Sequence, residues 1–210
     1  MSRIIAFSDC HAHIKEVKFP DGDILIFAGD IGNGRTTEAE FVEFAEVINK
    51  LPFSQKMITF GNHDVCVERN FDLSRMLDAH ILHDSEVVID GIKFFGSPYS
   101  PKFGSGWSYN IQRGYPAQQK WAQIPDDTNI LVVHGPPHGI LDVVDGFYKE
   151  SVGCEELAKR VMALKQLRLN VYGHIHTNFG QLNHNGVLFA NVALCDDRNK
   201  LIHEPMIIDI

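Results

Sequence analysis

The sequence predicts an α/β (α+β) domain of four layers, αββα: two mixed β-sheets packed face to face, with helices on the outer surfaces. Three observations carry this. The N-terminal half alternates short apolar runs, rich in β-branched residues, with a helical pattern, the signature of a layered α/β unit. The C-terminal half adds two Asx-Gly hairpins, Asp90-Gly91 and Asn185-Gly186, which bring antiparallel strands to the sheets. No Pro-, Gly- or Ser-rich stretch separates the halves, so 1–210 is expected to be one domain.

Arg3 to Ser8 has the composition of a buried strand, and Asp23 to Ala28 is a second apolar run. From Thr36 to Leu51, Phe41, Phe44, Ala45, Val47, Ile48 and Leu51 recur at helical spacing. Thr36 or Thr37 followed by Glu38 to Glu40 is an acidic, capped first turn, and Pro52 ends the helix. Lys56 to Phe60 is a third strand, and Glu86–Ile89 with Ile92–Phe95 form the first hairpin. The segment from Ser97 to Pro116 is rich in Gly, Pro and aromatic residues and follows no period. Asn129 to Val133 is a strand ending at His134. Gly153 to Leu167 is a helix with Leu157, Val161, Leu164 and Leu167 on one face. Leu169 to Tyr172, the hairpin Phe179–Leu182 with Val187–Val192, and Met206 to Ile210 complete the strands. The first half reads as parallel and the second as hairpins.

Composition narrows the function. Apolar residues make up 44% and charged residues 22% of 210, ordinary globular values. No apolar run approaches the roughly 20 residues of a membrane span, and because a strand pattern begins at Arg3 no leader is expected. Cys10, Cys66, Cys154 and Cys195 lack CxxC spacing and read as reduced thiols, so a cytoplasmic protein is expected. A net charge of −8 disfavours a long nucleic acid, which binds through basic surfaces, and favours a small substrate.

Five segments sit at the ends of the strand runs: Asp9-Cys10-His11, Gly29-Asp30, Gly61-Asn62-His63-Asp64, His134-Gly135 and Gly173-His174-Ile175-His176. Ligands in α/β folds gather at the carboxyl ends of strands. In extended backbone Asp9 and His11 share a side, as do His174 and His176. Two carboxylates, one amide oxygen and four imidazoles suit Mn²⁺, Fe or Zn²⁺ alike and require no thiolate, and a pair of divalent ions, Mn²⁺ first, is expected. Two divalent ions against two carboxylates and one hydroxide leave a single positive charge, which a phosphodiester monoanion neutralises. A two-metal centre also supplies hydroxide near neutral pH.

The motif set DxH, GD, GNHD, HG and GHxH, spread over positions 9 to 176, resembles the calcineurin-like metallophosphoesterase superfamily. The stretches Ser97 to Gly114, His134 to Gly139 and Val152 to Leu157 resemble its metallophosphoesterase-domain-containing branch. The resemblance implies that Asp9, His11 and His176 bind one ion, that Asn62, His134 and His174 bind the other, and that Asp30 bridges them. It implies that His63 faces the substrate as general acid or electrostatic partner, with Asp64 as its orienter. The expected reaction is hydrolysis of small phosphodiesters such as 2′,3′-cyclic nucleotides by a hydroxide bridging the two ions. A phosphomonoesterase, a protein phosphatase and a non-catalytic scaffold of the same fold are the alternatives. Arg35, Trp107, Tyr109 and Arg113 are the candidate substrate contacts, while Phe103 and Tyr115 are expected to pin their loop.

Overall fold

In strand β1 (Arg3–Phe7) both alternating sets of side chains are buried, Ile4 and Ala6 on one face, Ile5 and Phe7 on the other. A strand covered on both faces must lie inside a layered fold. The computed structural model describes residues 2–145 and 149–210. Strand β2 (Ile24–Ala28) runs parallel to β1, pairing Ile4 with Ile24 and Phe7 with Phe27. Helix α1 (Glu38–Lys50) then crosses over to β3 (Gln55–Thr59), which pairs parallel to β2. Its N-cap is Thr37, whose hydroxyl accepts from the Glu40 amide while the Glu40 carboxylate accepts from the Thr37 amide, a complete capping box. A short helix α2 (Val65–Arg69) precedes β4 (His80–Ile81), parallel to β3 at the sheet edge.

The hairpin of β5 (Ser85–Ile89) and β6 (Ile92–Ser97) opens the second sheet. Its turn residues Asp90 and Gly91 both have positive φ (51° and 78°), as a type I′ turn requires. Two-residue strands β7 (Ser100–Pro101) and β8 (Asn110–Ile111) clip the base of the aromatic segment and lead into α3 (Tyr115–Trp121), with Pro116 in its first turn. Strand β9 (Ile130–Val133) is followed by the pair β10 (Val143–Asp145) and β11 (Lys149–Ser151), helix α4 (Glu155–Ala163) and β12 (Leu169–Tyr172). Hairpin strands β13 (Gly180–His184) and β14 (Val187–Asn191), joined through Asn185 and Gly186 at positive φ, precede β15 (Met206–Asp209).

The first sheet has the order β15-β1-β2-β3-β4 and the second β13-β14-β12-β9-β6-β5. Between them lies a core that includes Ile4, Ala6, Ile26, Phe94, Val132, Val171 and Val192. The opposite face of the first sheet packs Phe7, Phe27 and Ile58 on Phe41, Phe44 and Ile48 of α1. The opposite face of the second packs Phe95, Leu131 and Phe189 on Trp121 of α3 and Leu157 and Val161 of α4. Three parallel cores between four layers give the αββα sandwich.

The second half differs from the sequence reading in three respects. Its sheet has a parallel centre, β14-β12-β9-β6, with hairpins only at the two edges. Each strand run is visible in the sequence, but its neighbours are set by the crossovers through α3 and α4, which no local pattern encodes. Helix α4 stops at Ala163; Leu164 is extended, and Leu164 and Leu167 reach the core from irregular chain. Helix α3 leaves no mark in the sequence pattern, because only Ala117 and Trp121 on it are buried and two residues carry too little period to read. Among the described residues, no helix is long and apolar enough to cross a membrane.

Candidate metal centre

Strands β1, β2, β3, β9 and β12 all deliver their C-terminal ends to one rim. Asp9 and His11 follow β1, Asp30 follows β2, Asn62 and His63 follow β3, His134 directly continues β9, and His174 and His176 follow β12. The backbone turns left-handed at Asp9 (φ 50°), His11 (φ 40°), Asp30 (φ 66°) and His174 (φ 68°). Such conformations cost non-glycine residues on the order of 1–3 kcal/mol each and persist where the surroundings enforce them. The expectation that Asp9 and His11, and likewise His174 and His176, share a side in extended backbone is therefore corrected. The chain leaves the strand before each pair, and sharp turns, with His176 entering a 3-10 turn, aim the side chains inward.

The donors form contiguous clusters: Asp9, His11 and His176; His11, Asp30 and His63; Asp30, His134 and His174, each with ligand atoms within 4.8 Å. Asp30 belongs to two of them. His11 Nε2 lies 3.1 Å from His176 Nε2, which is 3.3 Å from Asp9 Oδ1. His134 Nε2 lies 2.8 Å from Asn62 Oδ1 and 3.2 Å from Asp30 Oδ2. Every residue here except His63, His174 and His176 is essentially inaccessible.

Three imidazoles are anchored from behind. His11 Nδ1 donates to the Gly32 carbonyl (3.0 Å), His134 Nδ1 to Ala28 (2.9 Å) and His176 Nδ1 to Asp196 (2.9 Å). A carbonyl only accepts, so each Nδ1 carries the proton and each Nε2 points its lone pair at the carboxylates. That convergence must hold extra protons or cations. Burial pushes His134 and His176 down, but Asp30 and Asp9 respectively outweigh it and hold each at about 9. Burial opposes the Asp9 charge, yet His176 holds that carboxylate at about 2. Burial and the neighbouring His134 push His174 down to about 3. A donor set of this kind, with oriented imidazoles whose extra protons divalent cations would replace and with two carboxylates, fits a pair of such cations.

The supports behind this set are close-packed. The Ser8 hydroxyl donates to Asp9 Oδ2 at 2.5 Å, leaving Oδ1 toward His176. A Cβ on Gly173 would collide with both Asp9 Oδ2 and Ser8 Oγ. Gly173→Ala is therefore expected to displace the Asp9 carboxylate and lower metal affinity by about 10–100-fold, the range for loss of a ligand's supports. Titration of apoprotein with Mn²⁺ would show it; wild-type affinity in a folded variant would refute the packing account.

Asp64 is placed differently from the sequence expectation. Its buried carboxylate accepts from the amides of Asp30 (3.0 Å), Ile31 (2.9 Å) and Gly61 (2.8 Å) and from the Thr36 hydroxyl (3.0 Å). It braces the loops after β2 and β3 together and has no hydrogen bond to the His63 ring. Burial, then the Asp30 charge, lifts it to about 6 against the pull of these donors. His63 is instead oriented by its own amide, which donates to Asp30 Oδ1 (2.8 Å), and by the Trp107 ring at 4.5 Å. Its Nε2 is 3.8 Å from Asp30 Oδ2, and its buried Nδ1 has no partner among the described residues.

Of the four candidate substrate contacts, Trp107 and Arg35 border the site. Trp107 walls His63, and the exposed Arg35 guanidinium lies over Gly106 and makes no ion pair among the described residues. Tyr109 does not border it: it is buried in the core against Phe60, Tyr99 and His83. Arg113 is consumed by structure, donating to the Gly153 and Val152 carbonyls and pairing with Glu155 at 2.5 Å. Phe103, expected to pin its loop, is 40% exposed, 6.0 Å from Trp107 and 5.1 Å from His174, so it forms the rim of the centre. Tyr115 likewise pins nothing and is exposed on α3. An aromatic segment without a period gives no signal for which ring faces where. The four cysteines are free and buried, and burial pushes the Cys10 thiol well above its usual range.

A family profile described as calcineurin-like phosphoesterase matches residues 2–178 of the chain. Human metallophosphoesterase domain-containing protein 1 is 32% identical over 235 residues, covering 100% of this chain and 71% of that protein. A UPF0046 protein of Caenorhabditis elegans is 32% identical, covering 98% and 74% respectively. Among solved structures, TT1561 of Thermus thermophilus superposes with a TM-score of 0.67 at 13% identity, over 90% of this chain and 88% of that one. The phosphopantetheinyl hydrolase PptH from Mycobacterium tuberculosis superposes with a TM-score of 0.63 at 17% identity, over 93% and 90%. At those identities the superpositions speak for the fold alone.

Proposed function

The chain belongs to the calcineurin-like phosphoesterase family, a family of metal-dependent phosphoric ester hydrolases, and from that premise we propose a single-domain phosphodiesterase acting on small diesters. The observation that carries this reading is the inward convergence of the anchored Nε2 atoms of His11, His134 and His176 on Asp9 and Asp30. Asp9, His11 and His176 would hold one ion, Asn62, His134 and His174 the other, with Asp30 between them. Mn²⁺ is the expected metal, with Fe or Zn²⁺ compatible with the same nitrogen and oxygen donors. Bound there, the ions supply Lewis-acid activation of water and of the phosphoryl group.

The residues of the chain do the rest. Asp30 and the anchored imidazoles keep the donors apart and fixed, so no reorganisation is needed during reaction. His63 stands against Trp107 at the accessible side of the donor set, where its imidazole is the proposed general acid for a departing ester oxygen. Trp107 walls that imidazole, and Phe103 stands beside Trp107 and His174 at the rim. Arg113 and Tyr109 are unavailable, which leaves Arg35 and Lys102 as the cations at the mouth that make no ion pair among the described residues. So sparse a supply of positive charge favours a monoanionic diester over a dianionic monoester. Among diesters, 2′,3′-cyclic nucleotides are the first class to test.

The test is a metal-reconstituted assay of cyclic nucleotides, dinucleotides, aryl diesters and monoesters. Diester turnover exceeding monoester turnover is expected, and turnover of monoesters alone would overturn the reading. In the same assay His63→Ala is expected to keep its metal but lose about 10²–10⁴-fold in turnover, more on alkyl than on nitrophenyl leaving groups. Equal losses on both would rule out the acid role.

A further inference from the structure

A cavity of about 370 Å³ opens directly beside the His174 ring, lined by Phe103 but not by Trp107. Its size falls within the range of small-molecule sites. Its wall consists of Pro101, Phe103, Val144, Val152 and Ile175, drawn from four separate segments of chain. The one guanidinium on the wall belongs to Arg113, whose Nη1 and Nη2 donate to Glu155 and to the Gly153 and Val152 carbonyls. That charge is already matched, and Lys102 stands at the exposed edge. What the cavity offers a ligand is therefore apolar surface, within one side chain of a proposed ligand to the second ion.

We infer that this cavity is a specificity subsite for an uncharged, apolar ester arm of the substrate, an aryl ring or a short alkyl chain, held while the phosphate lies at the centre. The inference rests on the phosphoesterase reading of the centre and deepens it. A second sugar or phosphate seated inside this cavity would have its polar groups desolvated against valine, isoleucine and phenylalanine, with Lys102 reaching only its exposed edge. An apolar arm gains with each buried methylene, about fourfold in affinity at roughly 0.8 kcal/mol. The subsite thereby selects asymmetric diesters with one greasy arm. The polar arm, the better-hydrated one, is left toward Trp107, His63 and Arg35.

Alkylphosphonic acids test this without turnover, since their carbon–phosphorus bond is not hydrolysed. Calorimetric titration of Mn²⁺-loaded protein with methyl-, propyl-, butyl- and hexylphosphonic acid is expected to show affinity rising several-fold per methylene until the cavity is full. Val152→Asp is expected to abolish the rise, and Phe103→Ser, at an exposed position that folding tolerates, to weaken it. A flat series with methylphosphonic acid still bound overturns the subsite alone. A rise that persists unchanged in both variants places the chain elsewhere and overturns it too. No binding of any phosphonate, together with no diester turnover, overturns the phosphoesterase reading and the subsite with it.

Discussion

Asp30→Asn is expected to lower turnover by at least about a thousandfold and to leave the protein with fewer than two bound ions. Asp30 is the one residue common to the His11–His63 and His134–His174 clusters. Its Oδ2 lies 3.2 Å from His134 Nε2 and 3.8 Å from His63 Nε2, and its Oδ1 holds the His63 amide at 2.8 Å. One substitution therefore removes the carboxylate common to both clusters and disturbs the placement of the His63 imidazole. Loss of metal-borne charge stabilisation is worth several kcal/mol, and about 4 kcal/mol is already a thousandfold in rate. The carboxylate also balances buried positive charge. Burial would push the Asp30 carboxyl up, but His134 and His63 hold it far below the usual range. The neutral amide removes that balance, so His134 should lose its extra proton rather than stay charged and unpaired. The fold is expected to survive, because asparagine keeps the shape and an acceptor for the His63 amide. Elemental analysis and diester kinetics on the purified variant decide it. Two ions per chain with wild-type turnover would remove Asp30 from the bridging position.

Asp64→Ala is expected to strike stability rather than chemistry. The carboxylate satisfies three buried amides and a hydroxyl from two loops that carry Asp30, Asn62 and His63. Truncation leaves three buried N–H groups unpaired at roughly 1–3 kcal/mol each. The total stability of a domain is only about 5–15 kcal/mol. At about 2–4 °C per kcal/mol for a chain of this size, the melting temperature should fall by about ten degrees or more. Asp64→Asn, which keeps one acceptor, should fall less. The adjacent His63→Ala should barely move, since the His63 ring makes no comparable network. A melting temperature for Asp64→Ala within two or three degrees of wild type would show that water or neighbouring carbonyls replace the carboxylate, and the brace would be discarded.

The contrast between residues 63 and 64 shows where sequence reading reaches and where it stops. Both lie in the GNHD motif, and both are expected from it at the reacting end of the site. Local spacing places them on the same turn. Which one faces the centre is decided by the loop after β2, whose amides at Asp30 and Ile31 capture the Asp64 carboxylate from 34 and 33 residues away. Arg113 follows the same logic. As a lone arginine in a loop it is a reasonable phosphate contact, until the N-terminus of α4 brings Glu155 and two carbonyls to it. Phe103 goes the other way, from an expected loop pin to the rim of the centre, because the β7–β8 clip lifts its loop over His174.

By itself the sequence determined the strand runs, the two Asx-Gly turns, the capped first helix and the chemical identity of the proposed metal donors. Those properties depend on side chains a few residues apart, where periodicity and turn chemistry act directly on the backbone. Only the tertiary structure decided that the second sheet is parallel at its centre, that left-handed turns aim the donors, and that Asp64 holds loops. Each of these is set by partners tens to more than a hundred residues distant, as when His11 meets His176 across 165 positions. The energy of such contacts exists only once the layers have closed, so no local pattern can record it.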